Sequence, residues 1–150
     1  KKLRNMDSKF SLLDVKLDDL NQFKNYLTNS EFILLEGTIN NRDITKIARI
    51  ELSKINPDHK IIGNLLNEHQ EVLRDVLGIS TPKIDRMIEA ALNAGAYGAK
   101  INGSGGGGCM FAYAPEDPEK VKTAIEGCSG EAFIIISDSG SREDLTEEYN

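Results

Sequence analysis

The sequence predicts an α+β fold in which helices pack on one face of a largely antiparallel sheet. Three observations predict it. Three segments between Asn41 and Gly95 carry apolar residues at helical spacing. Two strand-like runs, Ala99–Asn102 and Cys109–Ala114, then flank the stretch Gly103-Ser104-Gly105-Gly106-Gly107-Gly108. A continuous β-branched run, Phe133-Ile134-Ile135-Ile136, follows one further short helix and reads as a central strand. At 150 residues, length suits a single domain covering 1–150 and does not require a second.

Element by element, the first 37 residues say least. Phe10 to Leu17 is compatible with a strand. Leu20, Phe23 and Leu27 then have helical spacing, with Asp18 and Asp19 early, where a helix dipole favours acidic groups. Phe32-Ile33-Leu34-Leu35, ending at Gly37, is a short apolar run that periodicity assigns to neither state. From Asn41, read as an N-cap, Ile44, Ile47, Ala48, Leu52 and Ile55 form a stripe expected to be buried, with Pro57 just beyond. A second helix over Lys60–Leu77 turns Ile62, Leu66, His69, Leu73 and Val76 to one side, and Gly78 closes it. Ser80 or Thr81 caps a third, with Pro82 at its first position and a stripe of Ile84, Met87, Ile88, Ala91 and Leu92 up to Gly95. After the glycine stretch and its second strand, Pro118 opens a helix whose inner face is Val121, Ala124 and Ile125, ending at Gly127. Beyond Ser137 the composition turns polar and acidic, so residues 139–150 read as a mobile tail.

Composition excludes several classes of function. A net charge of −6 and the absence of a basic run argue against a nucleic-acid surface. No run approaches the 18 or so apolar residues of a membrane span, and no signal peptide opens the chain. Cys109 and Cys128 lack metal-ligand spacing and read as reduced thiols of a cytoplasmic protein. The chain starts Lys1-Lys2 without methionine, which fits a fragment of a longer protein.

Five glycines in six positions oppose folding locally, since glycine loses the most backbone entropy. They imply positive φ angles or close approach by a visitor, and bare backbone N–H groups favour a phosphate. A tight hairpin needs only two residues, so a mere connection does not explain six. Three familiar phosphate loops fail on context. Gly103, Gly105 and Gly108 satisfy G-x-G-x-x-G, but a strand-like run follows where the dinucleotide loop needs a helix. Cys109-Met110 stands where a Walker loop needs Lys-Ser or Lys-Thr. The His-Arg-Asp and Asp-Phe-Gly triplets of protein kinases are absent.

The longer stretch Gly95-Ala96-Tyr97-Gly98-Ala99-Lys100-Ile101-Asn102 through Gly103–Gly108 to Cys109 resembles the third conserved motif of the GHMP small-molecule kinases, among them the galactokinases and mevalonate kinases. Leu65-Leu66-Asn67-Glu68-His69, Leu73-Arg74-Asp75 and Ser80-Thr81-Pro82-Lys83-Ile84-Asp85 resemble the helix pair before that motif. The likeness fades before about Gly37 and after Ser139. Asn67-Glu68-His69 and Leu73-Arg74-Asp75 look closer to galactokinases. The loop, which lacks a Gly-Phe-Gly-Gly ending, looks closer to mevalonate or other sugar kinases.

The resemblance implies a ferredoxin-like carboxy-terminal lobe and a full-length kinase that uses ATP and Mg. It would phosphorylate a small alcohol: a sugar of the galactose type, with mevalonate as the nearest rival. The partner would be the protein's own amino-terminal lobe, which in the family carries the phosphate loop, the metal ligands and the catalytic aspartate. No Gly-Leu or Ser-Ser pair of that loop occurs here, so the 150-residue chain alone is expected to be inactive, with no catalytic or metal residue of its own. Gly103, Ser104, Gly105, Gly106, Gly107 and Gly108 would line the nucleotide and substrate cleft.

Other residues have plainer readings. His69 reads as a core histidine, His59 as a solvated neighbour of a helix start, and Cys109 as a small buried residue under the loop. Lys100 divides evenly between surface and phosphate. Two further readings are a non-catalytic anion-binding module of ferredoxin-like fold and a structural domain whose glycines only pack.

Overall fold

The structure is a computed structural model that describes residues 2–6, 8 and 10–136. A short helix α1 (Lys2–Met6) and a 3-10 helix (Leu17–Tyr26) precede the long α2 (Asn29–Leu52). Then come α3 (His59–Glu71), a π-helical turn (Val72–Val76), α4 (Pro82–Asn93), β1 (Gly98–Asn102), β2 (Cys109–Tyr113) and α5 (Pro118–Gly127). The strands pair antiparallel, from Gly98 opposite Tyr113 to Asn102 opposite Cys109.

Two apolar clusters form. Leu73, Ile84, Met87, Ile88, Ala91, Ala99, Ile101, Val121 and Ile125 join α4, α5 and one face of the hairpin, with Met110 and Ala112 of β2 packed against them. That is the α+β arrangement predicted, helices on one face of an antiparallel sheet. Leu3, Leu20, Phe23, Leu35 and Ile39 form the other cluster, so the poorly legible N-terminal segment packs on the first half of α2.

Caps fall where side-chain oxygens can accept orphan N–H groups. Thr81 Oγ1 accepts from Ile84 N at 3.3 Å ahead of Pro82. Thr28 and Glu31 form a reciprocal capping box that starts α2 thirteen residues before Asn41, the expected N-cap. Asn41 instead lies inside the helix, and its buried Oδ1 has no partner among the described residues. The expected stripe on this helix is only partly buried: Ile47 and Leu52 are exposed, as is Ile55 beyond the helix end. The reason is positional. The first half of α2 buries Leu35 and Ile39 and brings Gly37 against Val72 and Val76, whereas no described element covers Ile47 or Leu52.

Two strand expectations fail. Phe10–Leu17 turns instead, because Asp14 N and Val15 N donate back to Ser11 O at 3.2 and 3.0 Å, and Phe10 stacks edge-on against Phe23. Phe133–Ile136 is exposed and belongs to no strand. A strand is made by backbone pairing, and residues 133–136 make no backbone hydrogen bond among the described residues, although α3 takes only the β1 edge of the hairpin. Residues 139–150, read as a tail, lie outside the described residues.

α3 takes that edge through backbone contact. A Cβ on Gly98 would stand 2.2 Å from Gly63 O, and one on Gly63 would stand 2.4 Å from Tyr97 O. Asn67 Nδ2 donates to Tyr97 O at 3.1 Å, and Asn67 Oδ1 accepts from Ala99 N at 3.0 Å. The buried Gln70 Oε1 accepts from Ile101 N at 2.9 Å. Side-chain amides thus do for the edge of β1 what a third strand would do.

Gly98→Ala should cost about 3 kcal/mol, because neither backbone can yield. Gly127→Ala, with open space around it at the end of α5, should be neutral or stabilising by up to ~1 kcal/mol. Urea denaturation of both variants checks the contrast.

Candidate functional site

The glycine stretch joins β1 to β2 as a six-residue loop, because the register closes at Asn102 and Cys109. Gly103, Gly105, Gly106, Gly107 and Gly108 all hold positive φ, at 89°, 77°, 75°, 133° and 83°. Residues with a Cβ rarely adopt these angles. Only Gly105 is also confined by packing, with Ile79 O 2.6 Å from where its Cβ would be. At the other four, the space a side chain would occupy is open. Gly106 N donates to Ile79 O at 2.7 Å, which pins the middle of the loop. Among the described residues, the N–H groups of Gly103, Ser104, Gly105, Gly107 and Gly108 have no acceptor.

The anchor of the loop is itself tied down. Ile79 N donates to Leu73 O at 3.0 Å, at the π-helical turn. Next to it, Ser80 Oγ donates to Asp85 Oδ1 at 2.5 Å and receives Gln70 Nε2 at 3.4 Å. Gln70 therefore links β1, α3 and the turn that holds the loop. The N-terminal turn of α4 lies alongside, where Thr81 and Lys83 line one groove with Gly107 and Gly108. Pro82 has no N–H, and the N–H groups of Ile84 and Asp85 donate to Thr81 Oγ1 and Thr81 O, so Lys83 N–H and the positive dipole end are what this turn offers an anion.

Lys100 leaves β1 half-buried, with Nζ donating to Ile101 O at 2.6 Å and standing 5.5 Å from the Phe111 ring centre. Burial lowers its pKa. His69 is half-buried on α3 and makes no side-chain hydrogen bond among the described residues, so it is not the fully buried core histidine expected; its pKa is also lowered, first by burial and then by the charge of Lys100. Ser104 is exposed on the loop. Cys109 is exposed as well, not buried under the loop as expected. Strand alternation explains it: Met110 and Ala112 face the helices, so Cys109 faces away. His59 lies at the far end of the hairpin, where its Nδ1 and the Tyr113 hydroxyl are hydrogen-bond partners. The Tyr97 hydroxyl there donates to Glu116, which raises the Tyr97 pKa.

The six predicted loop residues are thus contiguous and all but Gly105 are open, whereas His59 is remote from them. Ile79, Gln70 and the Ser80–Asp85 pair were not singled out for the site. Ser80 and Asp85 lay in the stretch before α4 that carried the family resemblance, and Gln70 stood as a polar residue beside His69 on an otherwise apolar helical face. Among the described residues, no cluster of three His, Cys, Asp or Glu side chains is placed to hold a metal ion. No described helix is long and apolar enough to cross a membrane.

The profile of the family described as GHMP kinases C terminal matches residues 47–132, more than half of the chain. This chain belongs to that family. Among its relatives, a mevalonate kinase of Thermococcus onnurineus is 43% identical over 102 residues, which is 66% of this chain and 30% of that protein. A galactokinase of Bos taurus is 31% identical over 132 residues, 86% of this chain and 33% of that protein. The chain therefore spans about a third of the length of these relatives. The crystal structure of Lactococcus lactis galactokinase complexed with galactose superposes with a TM-score of 0.72 at 22% identity, covering 84% of this chain and 34% of that one. That likeness gives the fold, the α+β lobe of this family.

The His69 shift has a signed consequence. A histidine whose folded pKa lies below 6.5 binds its proton more readily when unfolded, so folding stability falls as pH drops from 6.5 through the folded value. His69→Gln should flatten that limb and leave stability above pH 7 little changed, as read by thermal melts across pH 4.5–8.

Proposed function

We propose that the chain is the carboxy-terminal part of an ATP-dependent kinase that transfers a phosphoryl group to the hydroxyl of a small molecule, with a mevalonate-type acceptor. One observation carries the kinase reading: Gly103, Gly106, Gly107 and Gly108 hold φ of 75–133° with nothing packed where a Cβ would stand. A packing device would fill that space. A loop that offers bare N–H groups to an anion leaves it open. In phosphoryl transfer the protein acts chiefly by positioning and by stabilising charge, which such groups do without reorganising.

The residues fit ATP phosphates in this limited sense, through orphan N–H groups and the α4 terminus. When bound, ATP supplies the transferred group and Mg offsets its charge. Metal ligands and a catalytic base would come from outside residues 1–150. The mevalonate-type acceptor is favoured over galactose by the degree of likeness, since seven mevalonate kinases are 39–49% identical against 31% for the bovine galactokinase. Galactose is the second reading, favoured by the longer reach of the galactokinase match, 86% of the chain against 54–71%.

ADP release by the full-length protein with magnesium ATP against mevalonate, galactose, other hexoses and homoserine tests both readings. Turnover with mevalonate alone is expected. Turnover with galactose alone would reverse the acceptor, and no turnover together with no nucleotide binding would reject the kinase. Residues 1–150 by themselves should release no ADP above the buffer rate.

Gly106→Val in the full-length protein should lower kcat by about 100-fold, because a strained residue 106 displaces the unpaired N–H groups of Gly105 and Gly107 on either side of it. It should cost only about 1–2 kcal/mol of stability, the strain of one positive φ. A loss of stability as severe as the loss of turnover would favour a packing role.

A further inference from the structure

Between its strands the glycine loop is held by one backbone hydrogen bond among the described residues, Gly106 N to Ile79 O, and the residue after Ile79 is gripped from two sides. The buried Gln70 accepts from Ile101 N through Oε1 at 2.9 Å, so its amide nitrogen is the atom that faces Ser80 Oγ, 3.4 Å away. Ser80 Oγ accepts there, and its own proton goes to Asp85 Oδ1 at 2.5 Å. The donors therefore run in one direction, from a strand amide through Gln70 and Ser80 to a carboxylate, which when ionised only accepts. Turning any member round would leave a polar group of the network unpaired. This grip fixes more than Ser80. Ile79 O and Ser80 N share one planar peptide unit, so holding Ser80 sets the direction of the Ile79 carbonyl. Just upstream, Gly78 stands at φ 62° with nothing within 4 Å of where its Cβ would be, a residue about which the connection can swing unless it is tied.

We propose that Ser80 is a positioning residue for the glycine loop, held by Gln70 and Asp85 so that the Ile79 carbonyl keeps the loop N–H groups in the arrangement that receives a phosphate. Ser80 touches no ligand in this scheme and acts through Ile79 and Gly106. Donors that stabilise developing charge do so because they are already in place when the charge appears. A loosened loop can still meet a phosphate, but its donors must be ordered at the moment of reaction. Loss of the Ser80 hydroxyl therefore falls on kcat more than on KM. The effect on turnover rests on the kinase reading; the effect on the loop itself does not.

Ser80→Ala in the full-length protein tests it, by steady-state kinetics, hydrogen exchange read by peptide mapping, and thermal melts. Gln70 is a poorer probe, because its loss also strands Ile101 N. In the unaltered protein one amide of residues 103–108, that of Gly106, should exchange slowly. In Ser80→Ala it should exchange at least about 10-fold faster. Turnover should fall by about 10-fold to 100-fold in kcat, with KM for ATP changed by less than about threefold and Tm lowered by no more than about 4 °C. Asp85→Ala should do the same. Ser80→Thr and Asp85→Asn, which keep the hydroxyl and an accepting oxygen, should recover most of kcat and the slow amide. A loop amide that stays slow in Ser80→Ala overturns the proposal, and so does an active enzyme whose kcat is unmoved by that change. A fall in Tm as severe as the fall in kcat, with no recovery in Ser80→Thr, also overturns it and leaves Ser80 a role in stability alone. Exchange is read without ATP or acceptor, so a protein that turns over no acceptor fails as a kinase while its loop amide still decides this inference.

Discussion

The contact between Gly63 of α3 and Gly98 of β1 is the constraint on which the rest depends. Each glycine would place a Cβ within 2.4 Å of a carbonyl oxygen across the interface, so helix and strand meet backbone to backbone. That approach brings Asn67 and Gln70, four and seven residues after Gly63 and so on the same helix face, within reach of β1. The strand offers Tyr97 O, Ala99 N and Ile101 N along one edge at its own two-residue repeat. Two periodicities that do not match are joined by two flexible amides. Gln70 then reaches Ser80, next to the residue that holds the glycine loop. Position passes from a helix contact to the middle of the loop without a charged group.

That economy of charge suits an acidic chain. With a net charge of −6, the overall field repels anions, so any welcome for phosphate must be local. The loop and the first turn of α4 offer it as oriented backbone dipoles. Lys100, the cation on the adjoining strand, is turned back onto Ile101 O, and burial weakens its hold on the proton.

Much of the fold was legible where local chemistry and tertiary demand coincide. Pro82 behind Thr81, Gly78 and Gly95 at positive φ, and the stripe from Ile84 to Ala91 agree between sequence and structure. The hairpin and its loop were legible because glycine density has few causes. Other features were not legible because their signals are non-local. Asn41 looks like a cap only if Thr28 and Glu31 are overlooked three turns upstream. Ile47 and Leu52 have the spacing of a buried stripe, and periodicity says nothing of whether another element will cover it. Phe133–Ile136 has strand chemistry but lacks the partner a strand requires. The six residues of the connecting loop could be named from composition alone. Ile79 could not, because an apolar side chain gives no hint that its carbonyl oxygen is the part that matters.

The π-helical turn Val72–Val76 adds one residue to the helical path, closing with Leu77 N to Val72 O at 3.0 Å. Everything after it is rotated by about 100° from where an uninterrupted α-helix would leave it, the sweep of one residue in 3.6. Leu73 O is thereby left free for Ile79 N, and Ile79 O is free for Gly106. Chain length in this turn is therefore part of the specification of the loop thirty residues later. Surface connections in the same protein can gain or lose a residue at little cost. Here a single-codon deletion, with every remaining side chain unchanged, would swing the anchor of the loop round the helix axis and out of register with the glycines it holds.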